Sequence, residues 1–201
     1  MPKHLFALTA TVAFVLFSCS EPPSLPRPAG YLRIDLPDHS YQVFDSAFPY
    51  HFEYSTSAEI EFDDYTKSGP YWLNINYPEF KGKIHVSYKS LLENDLYNLS
   101  EDARNFVYRH ADKAQGIREL IVEIPEKRVF GMAWQIEGKE AASPFQFWVT
   151  DSTEHYLRGA LYFSVRPNND SLKPVIDFIV RDIDHLLATI EWKLSPIKLT
   201  H

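Results

Sequence analysis

The sequence predicts an α+β fold: a single domain, mostly antiparallel β-sheet packed with one central and one C-terminal helix. Three features predict it. Short segments rich in aromatic and β-branched residues alternate with a period of two, the period lengthens to three and four after Ser90 and again after Asp170, and turn residues separate the strands.

In chain order, Tyr31–Leu36, Tyr41–Phe44, Tyr50–Tyr54 and Ile60–Phe62 are strand candidates, punctuated by Pro37, Pro49 and Asp63. In the next strand Trp72, Asn74 and Asn76 fall on one face and Leu73, Ile75 and Tyr77 on the other. Lys83, His85, Ser87 and Lys89 alternate in the same way against Ile84, Val86 and Tyr88, and Pro78 with Lys81–Lys83 around Gly82 predicts the hairpin turn between the two strands. Ser100 is the expected N-cap of the central helix, with Glu101 and Asp102 at the positive end of its dipole and Ala103, Phe106, Val107, His110 and Ala114 on one stripe. Strands return at Glu119–Ile124, Arg128–Glu137, Pro144–Thr150 and Tyr156–Val165. The last helix is expected to begin near Asp170 or Ser171, to take Pro174 in its first turn, and to bury Ile176, Ile179, Ile183, Leu186, Leu187 and Ile190, with Trp192 closing that end.

Ahead of this domain, Lys3 precedes an apolar run from Leu5 to Phe17 and then Ser18 and Cys19, which is the layout of a bacterial export signal. A helix over that run spans about 20 Å, short of a hydrocarbon core of about 30 Å. Leu16, Phe17, Ser18 and Cys19 resemble the lipobox of bacterial lipoproteins, with Phe17 bulkier than usual for its place. The resemblance implies a signal peptide over 1–18 and a diacylglycerol thioether on Cys19, the membrane anchor. An ordinary secretory signal with a nearby cysteine is the other reading. Pro22, Pro23, Pro26 and Pro28 make 19–30 a Pro-rich tether, and 31–201 follows as a single domain.

Composition narrows the function. The net charge of −7 becomes −8 once Lys3 leaves with the signal, which disfavours nucleic acid and anionic lipid surfaces as partners. Cys19 is the only cysteine, so a lipidated chain has no thiol for disulfides, metal binding or catalysis. Four Trp, twelve Tyr and fourteen Phe supply the core instead.

The richest polar cluster is Thr150, Asp151, Ser152, Glu154, His155 and Arg158, between two strands. Ser152, His155 and Asp151 are the letters of a nucleophile, base and orienter, although no G-x-S-x-G elbow accompanies them. The plainer reading is a tight connection bonded to its own backbone and braced by His155 and Arg158, presenting a docking surface. His85, His110 and His155 with Asp151 or Asp102 could be nominated for zinc, but no H-x₃-H or H-E-x-x-H pair anchors such a site, and no cofactor is expected. Asn168–Ser171 forms a turn and helix cap with weak anion-binding potential. Trp72, Asn74 and Asn76, beside Lys83 and His85, offer either an exposed face for a glycan or peptide, or a face covered by a helix with Trp72 in the core.

Pro26–Pro37 (PRPAGYLRIDLP), Tyr77–Tyr88 (YPEFKGKIHVSY) and Gln146–Pro174 (QFWVTDSTEHYLRGALYFSVRPNNDSLKP) resemble the gliding-motility lipoprotein GldD family of Bacteroidota. The resemblance implies a non-enzymatic, membrane-anchored envelope lipoprotein, on the periplasmic side, needed for gliding and for the associated type IX secretion system. It also implies a GldE-like membrane protein as partner. Asp151, Ser152, His155, Arg158, Trp72 and His85 are then the candidate partner contacts; an envelope hydrolase or small-ligand-binding lipoprotein using the Asp151–Arg158 loop is the alternative. The order of elements also looks like the PsbP and Mog1 type of α/β/α sandwich, an analogy of fold alone.

Overall fold

The computed structural model describes residues 34–62, 69–109, 114–165 and 168–193. Cys19, the tether, Tyr31–Arg33 of the first expected strand and His110 lie outside them. Ten strands are described: β1 (Tyr41–Phe44), β2 (Tyr50–Ser55), β3 (Glu59–Phe62), β4 (Leu73–Tyr77), β5 (Gly82–Ser90), β6 (Gly116–Ile124), β7 (Val129–Glu137), β8 (Phe145–Thr150), β9 (His155–Phe163) and β10 (Glu191–Trp192). The central helix α1 spans Leu96–Arg109 and the C-terminal helix α2 spans Asn169–Thr189. Ile34–Leu36, expected to be extended, carries no strand.

Seven strands form one sheet in the order β3-β4-β5-β9-β8-β7-β6, and β1-β2-β10 form a second. Every pairing is antiparallel, as the short turn-linked segments require. The register sorts side chains cleanly. Leu73, Ile75, Ile84, Val86, Phe145, Phe147, Val149, Leu157 and Leu161 share one face and form a single core with Val175, Phe178, Ile179, Ile183 and Leu186 of the C-terminal helix. Phe44, Tyr50 and Phe52 of the small sheet enter that same core. The amphipathic stripe of the C-terminal helix explains this side: its apolar positions recur at three and four, and Pro174 stands inside the helix, in the second turn and not the first, because the helix already begins at Asn169.

On the opposite face a smaller cluster of Ala103, Val107, Trp134, Ile136 and Ala141 joins the central helix to β7. That helix starts earlier than expected. Asp95, not Ser100, caps it: Asp95 Oδ2 accepts the Asn98 N–H at 3.0 Å, while Ser100 lies inside and returns its hydroxyl to the Tyr97 carbonyl. Ala103 and Val107 are buried as the stripe predicts, but Phe106 is 43% exposed.

Two hairpins are built alike. Pro78–Phe80 and Pro125–Lys127 each make one 3-10 turn, closed by a residue in the left-handed region, Lys81 (φ 52) and Arg128 (φ 54). The first turn therefore hinges on Lys81 and not on Gly82. Gly82 lies inside β5, where a Cβ would stand 3.0 Å from Ile179 Cδ1, so its missing side chain lets the helix approach the sheet.

Candidate functional site

The turn between β8 and β9 is held by one carboxylate. Asp151 Oδ1 accepts the backbone N–H groups of Thr153 (3.0 Å), Glu154 (2.9 Å) and His155 (2.8 Å), and Oδ2 accepts the Thr153 hydroxyl at 2.7 Å. An aspartate at the start of a tight connection does this because its side chain reaches the N–H groups two to four residues on. Thr150 donates its hydroxyl to the His155 carbonyl and accepts the Ser152 N–H, which closes the loop from the other strand. Ser152 takes the left-handed conformation (φ 68) and points outward, exposed. Burial raises the Asp151 pKa, but the three N–H donors and the Thr153 hydroxyl outweigh it and hold the carboxyl below its ordinary range.

His155 is buried on the core side of the turn. Its Nδ1 meets the Tyr88 hydroxyl at 2.9 Å, and its ring stacks on Trp192 with centroids 5.2 Å apart. Burial holds the imidazole below its ordinary pKa against the opposing pull of Asp151 and Glu154. The base that a serine hydrolase would need is thus turned toward Tyr88, while Ser152 faces solvent.

Arg158 does not brace this turn. It lies three residues on, on the other face of the sheet, where its guanidinium donates to Gln146 Oε1 (2.7 Å) and covers the Phe106 ring of the central helix at 4.7 Å. The cation that does reach the turn is Arg128, which donates to Thr153 Oγ1 at 3.0 Å and to the Asp151 carbonyl at 3.4 Å. Arg128 arrives from the β6–β7 hairpin, since antiparallel neighbours put that hairpin and the β8–β9 turn at the same end of the sheet. Beside them opens a groove of about 450 Å³. Lys127, Arg128 and Lys193 line it together with Glu126, Glu154 and Glu191, and Trp192 lies against His155 there. Sequence reasoning missed Arg128, Trp192 and Lys193 as members of this site, because they come from segments distant in the chain.

The second candidate face is half-buried. Trp72 donates its indole N–H to the Tyr88 carbonyl (2.9 Å), meets the His85 ring edge-on at 5.6 Å and lies under Lys89 Nζ at 5.3 Å. His85 Nδ1 bonds Asn74 Oδ1 at 2.8 Å, and Glu61 joins Asn76 and Lys83 at 3.0 and 3.2 Å. Trp72 is neither a core residue nor free, and the smaller cluster beneath the central helix gathers on β7 instead. His85 and His155 fall on opposite faces of the sheet, and among the described residues no three His, Cys, Asp or Glu side chains converge as a metal site.

A different polar cluster was not foreseen. Asp182 of the C-terminal helix is 2% exposed and accepts from Tyr77 Oη at 3.0 Å, with His39 Nδ1 at 2.7 Å. His39 stacks on Phe178, and Tyr41 stacks on His185, which bonds Glu53 at 2.7 Å. These contacts fasten the segment entering the domain to the middle of the C-terminal helix.

Fold and site together define an α+β domain whose Asp151 cluster is bonded to its own turn, at the rim of an open groove of mixed charge. The chain belongs to the gliding motility lipoprotein GldD family, whose model matches residues 21–192. Membership makes it a gliding-motility-related lipoprotein and sets it at the cell envelope, anchored to a membrane. Among solved structures, that of cyanobacterial PsbP (CyanoP) from Synechocystis sp. PCC 6803 is similar at 12% identity and a TM-score of 0.46, over 83% of this chain and 98% of that one. No curated protein matches the chain.

Proposed function

We propose that this protein is a non-enzymatic docking component of the gliding apparatus and of the type IX secretion linked to it, held at the membrane through lipid on Cys19. The carrying observation is the state of the β8–β9 turn. Asp151 and His155, the groups that could do chemistry, are engaged by loop N–H groups and by Tyr88, while the charges of Lys127, Glu126, Glu154 and Glu191 face an open groove next to them. A fixed loop beside exposed charges of both signs suits recognition of a protein surface, where electrostatic complementarity sets register and partner choice. A GldE-like membrane protein is the partner we nominate, and the periplasmic side of the envelope is the side we assign.

Charge reversal in the groove tests the reading. Lys127→Glu combined with Glu154→Lys leaves Asp151, His155 and Arg128 in place and breaks only the partly exposed Lys127–Glu191 ion pair (3.3 Å), so the domain stays folded and its melting temperature falls by no more than about 4 °C. The expected result is loss of co-purification with the membrane partner from solubilised envelopes, together with loss of spreading on agar. Full motility and full partner recovery in a folded double variant would reject the groove as the docking surface.

A further inference from the structure

Among the described residues the seven-stranded sheet ends on one side in β3, four residues long, and on the other in β6, nine residues long. Edge strands present unpaired backbone N–H and C=O groups, and natural proteins blunt them with proline, charged side chains, bulges or brevity. β6 has charges at Arg118, Glu119 and Glu123, of which Arg118 is paired with Glu137 and Glu119 is bonded by Tyr108 and Trp134, and it has none of the other devices. Its sequence, GIRELIVEI, contains no Pro or Lys, and its register against β7 runs without interruption from Gly116 opposite Glu137 to Ile124 opposite Val129. Ile121 is 77% exposed and Leu120, on the opposite face, is 39% exposed. An edge that long, with apolar side chains bare on both faces at its midpoint, is built to be paired.

We propose that the partner is a second copy of this chain, joined β6 to β6 in antiparallel fashion about a two-fold axis through Leu120, so that two sheets become one. A symmetric antiparallel pair must place the axis normal to the sheet, which puts like faces together and allows only registers centred on a residue. Centring on Leu120, the middle of the nine, pairs the whole strand over about 30 Å at 3.4 Å per residue. Leu120 then meets Leu120 of the second copy, Arg118 meets Val122, and Ile117 meets Glu123. Ile121 meets the methylenes of Glu119, whose carboxylate is drawn away by Tyr108 Oη (3.1 Å) and Trp134 Nε1 (3.0 Å). The neighbouring registers are worse: centring on Ile121 sets Glu119 against Glu123, and centring on Glu119 sets Glu119 against itself, and like charges directly opposite are destabilising. Of the registers that pair at least about seven residues of β6, the charge pattern therefore selects one. Anchoring both copies in one membrane raises their effective concentration and favours so narrow a seam.

Cysteine cross-linking of the full chain in isolated membranes tests this. Leu120→Cys brings two thiols across the axis at a separation a disulfide accepts, whereas Glu123→Cys leaves its own copies about 20 Å apart, six residues out of register. Under mild oxidation Leu120→Cys is expected to give a dimer of twice the chain mass, in yield on the order of tenfold above both Glu123→Cys and the parent chain, which carries Cys19 alone. Equal yields from the two variants mean random collision and overturn the proposal. So does an unlinked Leu120→Cys whose thiol reacts freely with maleimide, and so does linkage to a protein of different mass, which would make the edge a seat for another partner's strand.

Discussion

Asp151→Ala is the perturbation that best tests how the β8–β9 turn is held. It removes the acceptor for three backbone N–H groups and the Thr153 hydroxyl at once. The His155 N–H belongs to a buried residue and costs about 1 to 3 kcal/mol when left unpaired, while Thr153 and Glu154 lie nearer water and forfeit about 0.5 to 1.5 kcal/mol each. The loss is thus about 3 kcal/mol, which in a domain of this size lowers the melting temperature by roughly 6 to 12 °C. Asp151→Asn keeps an oxygen in place and loses mainly charge assistance, about 1 kcal/mol. Protonation adds a second signature. Because the folded-state pKa is depressed, the wild-type advantage over Asp151→Asn is complete above the unfolded carboxylate pKa of about 3.9 and declines as pH falls through the lower folded value. Thermal unfolding followed by circular dichroism, from pH 7 to pH 3, reads both quantities. An alanine variant within about 0.5 kcal/mol of wild type, or a gap to the asparagine variant that stays constant down to pH 3, would refute the account.

Two further outcomes are expected. Gly159 lies opposite Phe147, whose ring carbons stand 2.2 and 2.3 Å from where a Cβ would be, so Gly159→Ala overpacks the core by about 1 to 3 kcal/mol; adding Phe147→Leu makes room, and denaturant titration should show the double variant losing clearly less than the sum of the singles, whereas additivity within about 0.5 kcal/mol would place the clash elsewhere. His155 is held neutral, so its contribution is complete above the unfolded pKa of about 6.5 and declines below it as the unfolded chain takes up the proton first; His155→Asn should flatten the fall in stability between pH 7 and pH 5, and an unchanged slope would count against the buried, neutral ring.

What the sequence discloses here follows the range of the forces involved. β4, β5, β7, β8 and β9 are legible to within a residue or two because each alternates against a fully apolar face, and the C-terminal helix because its stripe repeats through five turns. The start of the central helix is misread because Ser100 with Glu101 and Asp102 imitates a cap, and only the packing of Ala103 and Val107 decides how far the helix extends backwards to Asp95. β10 is two residues long and exists by pairing with β2, so no local pattern announces it. The site divides in the same way. Asp151 binding its own turn is local chemistry, readable from Asp, Ser and Thr in succession, whereas Arg128 and Lys193 reach the groove only through the register of strands that the sequence does not order. Arg158 is misplaced for a related reason: in a strand, three positions on from His155 is the opposite face.

The clasp at His39 and Tyr41 has a mechanical meaning for a chain tied down at one end. A pull arriving along the polypeptide at Ile34 reaches the Asp182 bond and the two ring stacks before it reaches any member of the seven-stranded sheet. Strain is passed sideways into the midsection of the longest helix, whose other flank is cemented into the main core. The molecule thus grips its own leash partway along a stiff rod.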